Sequence, residues 1–434
     1  MTGLNSGAEP AFIWSTPFPF SFKGVTTAMS NNEHSGTVRK TAQGLQPDLV
    51  RLRRDLHTHP ETGLHLPRTQ AAVLESLSGL DLEVSRGTAL TSVTAVLRGR
   101  RPGPAVLLRA DMDALPITEA TGLDYASRTA GAMHACGHDL HTAALVGAAR
   151  TLAEHRDLLA GDVVFMFQPG EEGWDGAARM IEEGVLDAAG PRVQAAYGLH
   201  VRSYGTPRGV FRSRPGTIMG GTDSISITVQ GKGGHASLPH VANDPVPVAA
   251  QIITAIQTMI TRRFDAFDPV VVTITSVQTA TTPNVIPERV ELSGTIRTFS
   301  QTNRTRIRTE LTRLSESIAL AYGMTAEAAF QDGYPVTVND ADEYEFAAAV
   351  VRDAVGSDRF DPMATPFAAA EDFSRVLNEV PGCYLILGAA AGADPAGAAS
   401  NHSPYAVFDD SVLADASFVL AELARRALDR LAPA

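Results

Sequence analysis

Residues 223–229 read DSISITV, and this stretch decides the architecture because the pattern of the chain changes there. Polar and apolar residues alternate in the manner of a strand with one buried face. Working outward, Pro245 to Arg262 has helical character, Val270 to Val277 and Arg289 to Thr298 read as strands, Asn303 to Ala321 as a helix, and Thr325 to Phe330 as a closing strand. The order β-α-β-β-α-β is that of a ferredoxin-like α+β sandwich, expected over residues 216–332.

On either side of this segment the pattern is different. Val93 to Leu97, Ala105 to Arg109, Asp162 to Phe167 (DVVFMF) and Ala195 to Leu199 are short apolar runs of the kind that form buried strands. Leu140 to His155 is rich in Ala and Leu and reads as a helix, and Asp48 to Leu56 as another that stops before Pro60. After Tyr334 the same character returns, with a helix at Asp342 to Val355 and a strand at Cys383 to Leu387. Strands alternating with helices predict a mixed-sheet α/β/α domain. It is expected in two pieces, residues 45–215 and 333–434, interrupted by the smaller domain. Residues 1–44 are expected to form a disordered extension.

Composition narrows the partners. Among 434 residues, Lys and Arg total 36 and Asp and Glu 48, a net charge of −12. That sign argues against nucleic acid and against an anionic membrane surface. No run of about 18 apolar residues occurs, so no membrane span is expected. Phe12 to Phe22 is aromatic but broken by Pro17 and Pro19, unlike a signal peptide. The only cysteines are Cys136 and Cys383, which implies no disulfide framework and fits a cytoplasmic protein.

The densest polar cluster is MHACGHDLH, residues 133–141. Cys136 and His138, separated by Gly137, converge if they sit on a tight turn at the mouth of a helix, and a thiolate with an imidazole suits a borderline transition metal. An ordinary solvated turn holding a buried cysteine is the plainer alternative. Acids follow two of the strands, in RADMD (109–113) and QPGEE (168–172), where ligands of open α/β sheets collect. On a loop, one of Glu171 and Glu172 can bind metal while the other takes a proton from water. Each pair also reads as a solvated loop. His200 directly follows a strand, and His402 lies on a loop after the last one. The sequence contains no HExxH, GxSxG or SxxK, and GKGGHA (231–236) makes a poor dinucleotide fingerprint.

Together these segments resemble the metallopeptidase family of aminoacylases, hippurate hydrolases, auxin-conjugate hydrolases and related carboxypeptidases. The resemblance runs from about Arg53 to the C-terminus. It rests on RRDLHTHPETG, RADMDALPI, HACGHDLHTAALVGAA, FQPGEE, GLH, GKGGHAS, NVIP, GTIRT, AEDF and NHSP, in that order. One departure is Gly170, where Ala is usual; another is the Ala-rich stretch before His402. The resemblance implies a catalytic domain with an inserted dimerisation domain, hence a homodimer or tetramer. It implies two divalent ions per subunit (Mn, Zn, Co or Ni) on Cys136, His138, Glu172, His200 and His402. Glu171 takes the general-base position and Asp113 that of an acid orienting the ligands. His235, Asn284 and Arg297 meet the substrate, with His235 reaching the partner subunit's site.

The activity implied is hydrolysis of an N-acyl-L-amino acid to a carboxylic acid and a free amino acid. A dipeptidase or carboxypeptidase is the alternative within hydrolases, and a metal-binding scaffold without catalysis the alternative outside them. Of the other conspicuous residues, His57 and His59 read as helix-end histidines, His134 and His141 as neighbours of the ligands, and Cys383 as core. Glu371 and Asp372 read either as caps of a following helix or as neighbours of the metals.

Overall fold

The computed structural model describes residues 23–279 and 282–433. From the N-terminal side come helices α1 (Lys23–Thr58) and α2 (Pro67–Ser76), strands β1 (Glu83–Arg86), β2 (Val93–Leu97) and β3 (Ala105–Asp111), helix α3 (His138–Glu154), strand β4 (Asp162–Gln168), helix α4 (Gly176–Glu182), and strands β5 (Ala195–Arg202), β6 (Phe211–Ser213) and β7 (Gly216–Met219). An inserted segment then supplies β8 (Gly221–Gln230), β9 (Gly234–His235), α5 (Pro245–Arg263), β10 (Val270–Gln278), β11 (Val285–Ile286), β12 (Arg289–Thr298), α6 (Gln301–Ala321) and β13 (Thr325–Asp332). The chain returns with β14 (Thr337–Asn339), α7 (Ala341–Val355), β15 (Phe360–Pro362), α8 (Ser374–Leu377), β16 (Gly382–Gly388) and α9 (Leu413–Leu431).

The larger domain is built on a mixed sheet in the order β1-β2-β4-β3-β5-β16-β6-β15. Its middle strands β4, β3, β5 and β16 run parallel, so their carboxyl ends open along one edge. Both faces are covered, which is why these strands are unbroken apolar runs rather than alternating ones. On β4, Val163, Phe165 and Phe167 enter one core while Val164 and Met166 enter the other. Helices α1, α3, α7 and α9 pack over the first core, and α4 and α8 over the second. The result is a mixed-sheet α/β/α layering, as expected. Truncating a wholly buried aromatic such as Phe165 would cost about 3–5 kcal/mol.

The insert has one antiparallel sheet, in the order β10-β12-β8-β13. Ile225, Ile227 and Val229 of β8 face Ile252 and Ile256 of α5 and Ile307 and Leu311 of α6, and the other face of the sheet carries no helix. Both helices start on side-chain caps: Asp244 accepts from Val246 N with Pro245 following, and Ser300 accepts from Asn303 N. The two crossings into and out of the insert are tied together by the short antiparallel pair β7 and β14.

Two expectations need correction. The extension expected over residues 1–44 lies outside the described residues only as far as residue 22; from Lys23 the chain is helical, and Val38 and Ala42 are completely buried. Pro47 sits inside that helix. Helix α9 went unread, although Leu413, Ala416, Leu420, Leu423, Ala424, Ala427 and Leu428 follow a helical period and are all buried. None of the described helices is long and apolar enough to cross a membrane.

Candidate metal centre

The centre is assembled at the carboxyl ends of β3, β4, β5 and the loop after β16. Gly137 stands between Cys136 and His138 with φ of 84°, and a Cβ on it would come within 2.4 Å of Val201 Cγ2. A left-handed residue there, which only glycine adopts in that space, turns Cys136 back toward the first residue of α3, His138. His138 Nδ1 donates to the Asp113 carbonyl at 2.8 Å, and His200 Nδ1 to the Val201 carbonyl at 2.7 Å. Each bond fixes the tautomer and leaves Nε2 with a free lone pair. His200 Nε2 lies 3.3 Å from Cys136 Sγ, and His402 Nε2 lies 3.1 Å from the same sulfur.

On the other side, the Asp113 carboxylate accepts the backbone N–H groups of Glu171 and Glu172, both at 3.0 Å. Gly170, with φ of 78°, opens this loop. Tyr334 donates from its hydroxyl to the Glu171 carbonyl and accepts from Gly173 N at 2.9 Å. The two glutamates are thereby held to different tasks. Burial pushes the Glu171 carboxyl well above its usual range, reinforced by Glu371, Glu172 and Asp372. Burial also pushes Glu172 up, but contacts with His402 and His138 outweigh it, and its carboxyl is lowered.

Three overlapping sets have ligand atoms within 4.8 Å of one another: Cys136, His138 and His200; Cys136, Glu172 and His402; and His138, Glu171 and Glu172. All five expected ligands are thus brought together, with Cys136 shared by two sets. The fit to metal rests on orphaned atoms. His138 Nε2 and Glu172 Oε1 are buried without any hydrogen bond, although Glu172 Oε1 stands 3.3 Å from His402 Nε2. His402 itself holds φ of 67°, a conformation a non-glycine residue keeps only where the surroundings impose it. Unpaired buried acceptors on imidazole and carboxylate, converging on a thiol, are the donor set that transition ions take.

These groups open into a cavity of about 480 Å³, whose wall includes Cys136, Glu171, Glu172, His200, His402 and Arg297. Arg297 comes from the insert, so the cavity lies between the two domains. His235 and Asn284 are elsewhere. They line a separate cavity of about 1040 Å³ on the insert, where His235 pairs with Val285 across the β9–β11 ladder.

A model of the Peptidase family M20/M25/M40 matches residues 107–426. The chain belongs to this family. It is therefore a hydrolase of amide bonds. Among its relatives, Thermostable carboxypeptidase 2 of Saccharolobus solfataricus is 40% identical over 347 residues, covering 78% of this chain and 85% of the relative. The N-acetyl-L-cysteine deacetylase of Bacillus subtilis is 37% identical over 389 residues, 89% of each chain. The crystal structure of the Bacillus subtilis YXEP protein, a dinuclear metal binding peptidase of the M20 family, superposes with a TM-score of 0.78 at 34% identity, covering 89% of this chain and 99% of that one.

Behind this M20/M25/M40 centre lies a charged layer that the sequence reading only partly resolved. Arg109, wholly buried, donates to Asp111 at 2.6 Å, Glu371 at 2.9 Å, Asp372 at 2.8 Å and the Gln168 side chain at 2.9 Å. His141 accepts from Val201 N at Nε2, so its Nδ1 carries the proton toward Asp111 at 2.6 Å. Of the two roles held open for Glu371 and Asp372, both have a part. Asp372 caps α4 through Ala177 N rather than α8, and Glu371 lines the metal cavity. His57 does lie in the last turn of α1, and it also contacts Asp139 at 2.8 Å and Glu119 at 3.3 Å. His59, at the surface, does bond its own helix through the Asp55 carbonyl. His134 is buried beside them with neither ring nitrogen bonded. Cys383 is core, its thiol pushed up to about 12 by burial. Nothing in the sequence singled out Tyr334, which reaches the base loop from 161 residues away.

Proposed function

We propose that the enzyme hydrolyses N-acyl-L-amino acids and that its two divalent ions, of the Mn, Zn, Co or Ni kind, are held by Cys136, His138, Glu172, His200 and His402. The observation that carries the substrate reading is Arg297. It lines the metal cavity, burial lowers its proton affinity, and it has no ion pair among the described residues. A guanidinium in that position suits a carboxylate taken bidentately. The relatives named a deacetylase of an N-acetyl amino acid and a carboxypeptidase share that demand: an amide next to an amino-acid carboxylate.

When bound, the ions supply Lewis acidity toward the amide carbonyl and a water. Glu171 takes the proton of the attacking water and returns it to the leaving nitrogen; a carboxylate with raised proton affinity is the better base for this. Asp113 keeps Glu171 and Glu172 in register through their backbone N–H groups. His235 supplies a donor to the oxyanion. Its Nδ1 accepts the Ser237 backbone N–H at 3.2 Å, so Nε2 carries the proton and points it outward. Because His235 and Asn284 line a different cavity from the metals, they are read as serving the site of a partner subunit in a cytoplasmic homodimer. The insert, residues 216–332, is then the dimerisation domain.

The test is a turnover screen of metal-reconstituted enzyme on N-acetyl, N-benzoyl and indoleacetyl amino acids, dipeptides, and the same compounds with the α-carboxylate converted to a carboxamide. N-acyl amino acids should turn over and their carboxamides should lose most of kcat/KM. Equal turnover of acid and carboxamide would remove the role given to Arg297; preference for dipeptides would move the enzyme to the peptidase branch.

A further inference from the structure

The metal cavity holds a second guanidinium that the reading above does not use. Arg202 is the last residue of β5, two positions beyond His200 and on the same side of the strand. It lines the same cavity as Arg297 and the metal cluster. Its guanidinium carbon lies 4.1 Å from the ring centroid of Phe367 and 4.4 Å from that of Tyr204, and both rings also line the cavity. Two aromatic rings hold the plane of the cation, but they do not use its N–H groups. Arg202 makes no ion pair among the described residues, and its single hydrogen bond is a long one, Nε to the Tyr204 carbonyl at 3.5 Å. Arg202 is half-buried and lines the cavity, with its remaining N–H groups open to solvent.

The other arginines at the centre behave differently. Arg109 is saturated by carboxylates, and Arg53 sits 2.7 Å from Asp139. Arg202 and Arg297 alone among them face the cavity without a carboxylate. One anionic group on the substrate satisfies one of them. A half-buried guanidinium, held flat and left unpaired, is a site for a second. Arg202 stands about 7 Å along the strand from His200, two residues at the rise of a strand. A short chain reaching away from the scissile amide spans that distance.

We infer that Arg202, clamped between Tyr204 and Phe367, is a specificity-determining residue that binds a second carboxylate, so that the preferred substrates are N-acyl amino acids carrying two negative charges. This rests on the N-acyl amino acid reading. The second charge has two sources: the far end of a dicarboxylic acyl group, or the side chain of an acidic amino acid.

Pairs of substrates separate them. N-succinyl-L-alanine is compared with N-butanoyl-L-alanine, and N-acetyl-L-glutamate with N-acetyl-L-glutamine, as kcat/KM on the metal-loaded enzyme. One dianion should exceed its monoanionic partner by about ten- to a hundredfold, the range of a hydrogen-bonded charge pair. In Arg202→Gln that ratio should collapse toward one, and in Arg202→Lys it should be partly kept. The same pairs are titrated calorimetrically into metal-loaded Glu171→Gln, with and without Arg202→Gln, so that binding is read without turnover. The inference is overturned if neither dianion binds better than its isostere, or if the preference survives Arg202→Gln. Failure of every compound to be hydrolysed by the wild type, with the binding preference intact, would instead strike the proposed reaction. Loss of the wild-type preference alone strikes Arg202.

Discussion

The two cavities that carry the expected site residues are built in opposite ways. In the candidate metal centre, three of the five expected ligands are anchored, His138 and His200 by backbone carbonyls and Glu172 by Asp113, and the layer behind them is held by Arg109. Around His235 the scaffold is two residues of strand, and the neighbouring apolar side chains Leu238, Val241 and Val285 are about half exposed, at 48%, 57% and 47%. A preorganised ligand set needs nothing further from the protein. A histidine presented on an exposed ladder, ringed by apolar surface, needs something to face. On the proposed reading, the difference is that the chemistry is housed in one domain while the insert completes the site.

The largest effect expected from breaking this contrast is at the base. Glu171→Gln removes the proton acceptor and keeps the shape of the loop, so turnover should fall about 10²–10⁴-fold. Metal content, measured by mass spectrometry, should be unchanged; a variant with near wild-type kcat would end the assignment. His235→Ala should lose about 10²–10³-fold, the usual cost of one oxyanion donor. If it acts across a two-fold interface, mixing the two inactive variants restores activity, because a heterodimer has one site with both residues intact. Verified heterodimers that stay inactive would show that His235 serves its own chain or none.

A smaller loss is expected at Asp113, which touches the ligand loop through two backbone N–H groups and His138 through its carbonyl at 2.8 Å and its carboxylate at 3.5 Å. Asp113→Ala frees that loop and should weaken metal binding about 10- to 100-fold, as removal of groups behind metal ligands usually does. Competition with a coloured chelator measures it. Unchanged affinity together with lost turnover would mean that Asp113 acts on Glu171 rather than on Glu172.

Most of this centre was legible because metal chemistry leaves residue types in telling places. CxH marked a turn at the mouth of a helix, while Glu-Glu after an apolar run and His200 late in another marked the carboxyl ends of strands. The insert was legible from the period of two in DSISITV. What escaped the sequence depended on distance along the chain. Arg109 looked like part of RADMD, yet its meaning lies in Glu371 and Asp372, 262 and 263 residues on. Arg202 carried no signal in the sequence, because the ring that holds it, Phe367, lies far along the chain. Helix α1 was read only from Asp48, whereas it begins at Lys23 and buries Val38 and Ala42 against the core.

The smallest effect concerns the departure at Gly170, and it sharpens the contrast by asking how tightly the base loop is held. Gly170 has φ of 78°, and a Cβ there would come 2.6 Å from Leu64 Cδ2 and 3.1 Å from Trp174 Cβ. Alanine in the left-handed region costs about 1–2 kcal/mol. Removing the glycine also restricts the unfolded chain, which returns about 0.4–1 kcal/mol. Leu64 is the end of a flexible side chain and can swing away, whereas Trp174 Cβ stands next to its backbone. The net expectation for Gly170→Ala is a destabilisation of about 1 kcal/mol, read as a lower urea midpoint with an unchanged slope. Should Gly170→Ala instead be neutral or stabilising, the loop adopts another turn with alanine in place, and the clamp by Asp113 and Tyr334 is looser than the geometry around Glu171 implies.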